Sequence, residues 1–200
     1  MKAPLGVILA GGLATRMGGG DKGRLTLGGE ALITRVIARL SPQVAGLALN
    51  ANGDPARFAD LRLPVVADSV AGYAGPLAGV LAGLDWAAAH GADTIVTAAA
   101  DTPFLPCDLV PRLQVEAEGM AHPLVLAATD DPGRGLSRHP TFGLWPVALR
   151  DDLRGALAGG LRKVVQWTDA HHGRLAQFPD PGAFFNVNTP DDLAMAEGML

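Results

Sequence analysis

The chain has 200 residues, of which 48% are hydrophobic and 18% charged, with a formal net charge of -4, and this size and apolar content suit one domain, residues 1–200, with a sizeable core. The balance excludes a protein held by its overall field to nucleic acid or to an anionic membrane, so a basic site has to be local and neither partner is expected. Cys107 is the one cysteine, which excludes an internal disulfide and a cysteine-based zinc site and fits a reducing compartment. The apolar part of "MKAPLGVILAGG" is too short for a signal peptide or a membrane span, so the cytoplasm is the expected location.

"LGVILA" at 5–10 is a continuous apolar run ending in glycine, the pattern of a strand buried on both faces of a parallel sheet. A glycine-rich stretch follows, then "ALITRVIARL" puts Leu32, Ile33, Val36, Ile37 and Leu40 at helical spacing, with Arg35 and Arg39 opposite. "VAGLALN" at 44–50 reads as a strand, "DPARFADL" as a short helix and "LPVVAD" at 63–68 as another strand. "GPLAGVLAGLDWAAAHG" at 75–91 is predicted helical, with Leu77, Val80, Leu81 and Leu84 on one face, and "DTIVTAAAD" at 93–101 is a buried strand. A helix is expected soon after Pro106.

The second half is less regular. "PLVLAAT" and "TFGLWP" read as strands, "ALRDDLRGALAGG" and "GLRKVVQWT" as helical pieces, "RLAQFPD" as a late edge strand and "NTPDDLAMAEGML" as a closing helix. "TDDPGRGLSRHP" at 129–140 is the most loop-like segment, placed to hang over a site from the sheet edge. Alternating strands and helices predict an α/β fold with a mostly parallel sheet and helices on both faces.

"LAGGLATRMGGGDKGRLTLGG" at 9–29 combines glycines with Arg16, Lys22 and Arg24. Gly18, Gly20 and Gly23 satisfy a GxGxxG pattern, but several residues separate it from the strand, whereas a dinucleotide fingerprint lies directly between strand and helix. A Walker loop fails too, because Gly23 follows Lys22 where a hydroxyl residue is required. What remains is glycine backbone that lets a polyanion approach, with Arg16 and Lys22 as cationic donors, so a triphosphate suits both features. A flexible surface loop with solvated basic residues is the alternative.

The order LAGG, then Arg16 and Met17, then Lys22 resembles the loop of nucleotidyltransferases with a GT-A-like Rossmann fold. Within them, the paired Gly11 and Gly12 and the "GGGDK" run resemble the molybdenum cofactor guanylyltransferases. Ala14, with Thr15 next to it, stands where that loop often has serine. "LNAN" at 49–52, "DSVAGYAGPLAG" at 68–79, "AAADTPFLP" at 98–106, "HPTFGLW" at 139–145 and "FFNVNTPDDL" at 184–193 resemble the family in the same order and span nearly the whole chain.

In an open parallel sheet, ligands bind beyond the carboxyl ends of the strands, and these elements put the glycine loop, Asn50, Asp68 and Asp101 at four such ends. Asp101 is the candidate metal ligand, since an ionised carboxylate ending a buried strand is costly unless a cation or donors satisfy it. A helix N-cap is its alternative role, although Pro106 and Asp108 lie nearer the expected helix start. Asp68, before Ser69, equally suits a turn cap. Lys22, assisted by Arg16, is expected to bind the phosphates and the departing pyrophosphate.

The resemblance implies nucleotide contacts at Leu9, Ala10, Gly11, Gly12, Lys22, Asn50, Asp68, Gly79 and Asp101, with Mg²⁺ on Asp101. Guanine needs acceptors for its N1 and amino hydrogens and a donor for O6, groups that the backbone of residues 9 to 11 and the Asn50 side chain offer. Tight helix packing explains Gly75 and Gly79 as well as nucleotide contact does. In the C-terminal half, which the resemblance assigns to the acceptor, Asn186 and Asn188 are the pterin-side candidates. Thr189, Pro190 and Asp192 around them form a helix start for structural reasons alone. Arg138 and His139 are candidate anion contacts. His171 and His172 are expected at the surface, and Trp86, Trp145 and Trp167 in packing.

The implied activity is transfer of GMP from GTP to molybdopterin carrying molybdenum, with release of pyrophosphate. Molybdoenzymes or their chaperones are the further partners implied. A cytidylyltransferase for the same cofactor, a sugar-phosphate nucleotidyltransferase and a non-catalytic nucleotide-binding module are the alternatives.

Overall fold

A computed structural model describes residues 2–11, 22–70, 75–133 and 135–200. In chain order its main elements are β1 (Leu5–Leu9), β2 (Thr26–Leu27), β3 (Glu30–Ala31), α1 (Leu32–Leu40), β4 (Gly46–Asn50), β5 (Val65–Val66), α2 (Pro76–Ala89) and β6 (Thr94–Ala99). There follow α3 (Leu109–Glu116), β7 (Val125–Asp131), β8 (Gly135–Pro146), α4 (Arg150–Ala158), α5 (Val164–Ala170), β9 (Arg174–Phe178) and α6 (Pro190–Glu197). Seven strands form one sheet in the order β5-β4-β1-β6-β8-β7-β9, and β2 and β3 form a small hairpin.

β1 pairs in parallel with β4 on one side and β6 on the other, and β4 pairs in parallel with β5. β8 alone runs against its neighbours β6 and β7, while β9 rejoins in parallel at the far edge. The mostly parallel α/β sheet and the edge position of "RLAQF" are as expected. β1, β4 and β6 are nearly all apolar because helices cover both faces. Ile33, Val36 and Leu40 of α1 and Leu109, Val110 and Leu113 of α3 pack on one face. Val80, Leu81 and Leu84 of α2, Leu153 and Leu157 of α4 and Trp167 of α5 pack on the other.

The segment at 129–140 is not the loop its composition suggested. β7 runs as far as Asp131, whose side chain accepts from the Gly133 amide at 2.8 Å, and Gly135 already starts the returning strand. The β7–β8 register jumps from Leu126↔Gly143 to Ala127↔His139, so β8 carries a bulge that includes Thr141. "DPARFADL" forms the expected short helix, of the 3-10 kind, over Pro55–Leu61, capped by the Asp54 carboxylate, which accepts from the Ala56 amide. The strand expected at 63–68 shrinks to Val65–Val66. α6 starts as expected, with Thr189 and Asp192 bonded reciprocally in a capping box and Pro190 in the first turn.

Among the described residues no helix is long and apolar enough to cross a membrane.

Candidate active site

After β1 the chain proceeds through α1 to β4 and then β5, whereas β6 lies on the opposite side of β1. The connections therefore diverge beyond the carboxyl ends of β1 and β6, where an open parallel sheet leaves a crevice. A cleft of about 520 Å³ opens there, and its walls include Leu9 at the end of β1 and Gly11 beyond it, Asn50 at the end of β4 and Asn52 beyond it, Asp68 after β5 and Asp101 after β6. Gly75, Pro76, Thr141 and Asn186 complete much of the rim, Thr141 being carried there by the β8 bulge.

The glycines divide by what a side chain would meet. A Cβ on Gly11 would touch nothing within 4 Å, so its bareness leaves room in the cleft rather than for the protein itself. A Cβ on Gly23 would press on the Cβ atoms of Ala100 and Ile33 at 3.1 and 3.2 Å, so this glycine lets Lys22 sit against the end of β6. Gly75 has φ +143°, open to glycine and not to ordinary residues, and Pro76 follows it to begin α2 at the cleft wall. Gly79 lies behind the wall: a Cβ there would overlap the Asn50 Oδ1 atom and approach Leu9 Cδ2 to 2.9 Å. Its bareness lets α2 pack this closely, and it backs Asn50 from behind.

Lys22, Asp101, Asn186 and Asn188 meet at one end of the cleft. The Lys22 ammonium donates to Asn188 Oδ1 at 2.6 Å and lies 3.9 Å from the Asp101 carboxylate. The segment around Asn186 is laced to this strand end, because the Val187 amide donates to the Asp101 carbonyl at 2.9 Å and the buried Thr102 hydroxyl donates to Asn186 Oδ1. Burial pushes the Asp101 carboxyl above the ordinary carboxylate range, with Lys22 opposing. Further positive charge beside it would favour the ionised form of this carboxyl. The Asp192 carboxylate, by contrast, accepts from the Asn188 and Thr189 amides, and these bonds hold its pKa below the usual range.

At the other end, Asn50 is 4% exposed and its Nδ2 hydrogens go to the Val66 carbonyl at 3.1 Å and to Asp68 Oδ1 at 2.9 Å. Both donors being engaged, Asn50 does not offer a free donor to a guanine O6, and since the Ala10 amide is taken by the Asn50 carbonyl at 2.9 Å and Leu9 is paired within the sheet, the Gly11 amide is left as the candidate among residues 9 to 11. Asn52, which no sequence signal singled out beyond its place in "LNAN", donates to Asp68 Oδ2 at 2.8 Å and accepts from the Asp68 amide at 2.9 Å. The next residue, Ser69, donates to Asp85 of α2 at 2.5 Å, and Arg154 of α4 bonds the same carboxylate at 2.6 Å.

Gly12 and Arg16 lie outside the described residues. Arg138 and His139 point to opposite faces of β8 and line neither end of the cleft. Arg138 pairs with Asp169 of α5 at 2.7 Å. His139 shares a hydrogen bond of 2.9 Å with the Thr129 hydroxyl and stacks on Phe184 with ring centroids 4.2 Å apart, and burial lowers its pKa. His171 is half-buried rather than a plain surface residue: it packs on Trp167 and shares the Asp152 carboxylate with that indole, at 2.7 and 2.9 Å. Trp145 and Trp167 are core residues, as expected, and Trp86 packs at the core edge.

A divalent cation fits at Asp101. The described residues hold no group of three or more His, Cys, Asp or Glu side chains that could grip an ion by themselves, but Mg²⁺ in phosphoryl-transfer sites usually takes one or two carboxylates, with substrate phosphates and water completing its shell. One half-buried carboxylate whose charged form is under-compensated meets that requirement.

Residues 6–175 match the family described as the MobA-like NTP transferase domain. The molybdenum cofactor guanylyltransferase of Cereibacter sphaeroides is 54% identical over 98% of this chain and 96% of its own. That of Rhodopseudomonas palustris (strain HaA2) is 53% identical over 98% and 92%. Among solved structures, molybdopterin-guanine dinucleotide biosynthesis protein A from Archaeoglobus fulgidus superposes with a TM-score of 0.72 at 24% identity, covering 98% of this chain and 97% of its own. The 4-diphosphocytidyl-2C-methyl-D-erythritol synthase from Anaerococcus prevotii superposes with a TM-score of 0.76 at 13% identity, covering 99% and 96%. At these identities the two structures share the fold with this chain, and a fold common to differently named enzymes does not choose the reaction.

Proposed function

The chain belongs to the MobA-like NTP transferase family, and on that premise we propose that it transfers GMP from GTP to molybdenum-carrying molybdopterin, forming molybdopterin guanine dinucleotide. In this reaction a terminal phosphate oxygen of the acceptor bonds to the α-phosphorus of GTP, the bond from that phosphorus to the bridging β-oxygen breaks, and pyrophosphate leaves with the electron pair. No covalent enzyme intermediate is needed, so the protein's task is alignment and charge neutralisation.

The observation that carries this reading is that Lys22, held by Asn188, lies 3.9 Å from the Asp101 carboxylate, which lines the β1–β6 crevice. Lys22 neutralises the triphosphate and the departing pyrophosphate, held in place by Asn188. Arg16 is assigned to the same phosphates from its place in the loop sequence, and Gly11 and Gly12 admit the nucleotide backbone-first. Asp101 would hold Mg²⁺, which supplies charge neutralisation at the phosphates. Asn50 and Asp68 shape the nucleoside end, and Gly79 supports Asn50. Asn186, fixed by Thr102, faces the acceptor. Arg138 and His139 act on the β7–β8 hairpin rather than on phosphate. The reaction is assigned to the cytoplasm, and molybdoenzymes or their chaperones receive the product.

Calorimetric titration with GTP and with CTP in the presence of Mg²⁺ tests the base assignment. The reading expects GTP to bind and CTP to bind at least tenfold more weakly; the reverse order makes the chain a cytidylyltransferase.

A further inference from the structure

β5 is two residues long and stands at the sheet edge, and its pairing with β4 ends at Asn50↔Val66. The last backbone bond between them is the Ala51 amide to the Val66 carbonyl at 3.1 Å. Beyond it, the chain leading to Asp68 lacks a ladder of its own, yet Asp68 stays in register because the Asn52 side chain takes over. Its amide oxygen accepts from the Asp68 amide at 2.9 Å and its Nδ2 donates to Asp68 Oδ2 at 2.8 Å. A side-chain amide here does what a further backbone pair would do, and it grips both backbone and carboxylate. An asparagine that merely closed a turn would bond its own or adjacent backbone, whereas these bonds reach 16 residues along the chain.

The consequence lies in the carboxylate. Asn50 donates to one Asp68 oxygen at 2.9 Å and Asn52 to the other, so each oxygen takes one donor from the protein and keeps acceptor capacity toward the cleft that both residues line. We propose that Asn52 is a positioning residue of the nucleotide site: it fixes the Asp68 carboxylate so that both oxygens face hydrogen-bond donors on the nucleoside part of the bound triphosphate. The proposal rests on the nucleotidyltransferase reading, and it concerns the nucleoside end of the cleft rather than the reacting phosphates.

The test is a double-mutant cycle on nucleotide affinity. The dissociation constants of the wild type, Asn52→Ala, Asp68→Ala and the double variant are measured by calorimetry with Mg²⁺, using whichever of the four common nucleoside triphosphates the wild type binds most tightly. Asn52→Ala is expected to weaken binding roughly tenfold, the scale of one charge-assisted hydrogen bond, and to add nothing once Asp68 is gone. Asn52→Asp, of the same shape but facing Asp68 with like charge, is expected to weaken binding at least as much, and it serves if the alanine variant fails to fold. Binding within twofold of wild type in a folded Asn52 variant overturns the proposal. So does a full Asn52→Ala loss on top of Asp68→Ala, because Asn52 then acts independently of Asp68. If the wild type prefers CTP, the guanylyltransferase reading falls and the cycle proceeds with CTP; if it binds none of the four, both fall.

Discussion

Gly79→Ala puts the helix-to-sheet packing behind the cleft to a quantitative test. The added Cβ overlaps Asn50 Oδ1 and comes within 2.9 Å of Leu9 Cδ2 and 3.0 Å of Asn50 Cγ. Asn50 cannot swing aside without giving up its bonds to Val66 and Asp68. α2 cannot retreat freely either, because Leu81 and Leu84 are buried in one cluster with Val7 and Ile95 of the sheet and with Leu153 and Leu157 of α4, contacts that a retreat would open. Overpacking a close-packed site costs about 1–3 kcal/mol, and the upper end applies where neither neighbour yields. Alanine returns up to about 1 kcal/mol of helix propensity, so the net loss is about 2 kcal/mol, a fall in Tm of about 4–8 °C for a chain of this size. Nucleotide affinity should fall with it, because a displaced Asn50 releases one oxygen of Asp68. Gly155→Ala, on an exposed position of α4 where a Cβ meets nothing within 4 Å, is the control and should raise Tm slightly. Thermal unfolding and calorimetry read both effects. An unchanged or higher Tm in Gly79→Ala, with nucleotide binding intact, refutes the packing argument.

Lys22→Ala should leave the fold intact and lower turnover about 100- to 1,000-fold, the range seen when a donor to transition-state charge is removed; pyrophosphate release measures it, and near-normal rates remove Lys22 from the phosphates. Asp101→Asn should abolish turnover yet stabilise the protein in metal-free buffer. Because the folded-state pKa of Asp101 is raised by burial, the unfolded chain gives up the proton first, so this group lowers stability as pH rises from the ordinary carboxylate value through the raised one. Unfolding at a series of pH values should show the wild type falling behind the Asn variant across that window, and a reversed slope contradicts the assignment. Thr102→Val, which removes the hydroxyl holding Asn186, should raise KM for the acceptor while leaving the GTP dissociation constant unchanged.

The crevice was legible in the sequence because Asn50, Asp68 and Asp101 stop apolar runs at or just beyond the ends of β4, β5 and β6, and parallel pairing brings such ends to one side. What escaped was whatever depends on tertiary partners. Nothing local in "FFNVNTP" says that Asn188 bonds Lys22, 166 residues earlier. Asn52 carried one faint signal: it stands two residues after Asn50, and a strand end with that spacing presents both on one side. The polar, turn-forming residues of 129–140 concealed a strand because the tip of a hairpin projects into solvent, where apolar alternation is not required. Arg138 was attractive as an anion contact from its type, but the pleat turns it toward Asp169.

Guanylyl transfer at the Lys22–Asp101 end of the crevice is open to direct test. The most direct measurement is mass-spectrometric identification of the product, with pyrophosphate release, when the purified chain is mixed with molybdenum-carrying molybdopterin, Mg²⁺ and an equal mixture of GTP and CTP. Molybdopterin guanine dinucleotide and one pyrophosphate per product are expected. The cytosine dinucleotide as the main product, or bound GTP with no pyrophosphate released, would contradict guanylyl transfer.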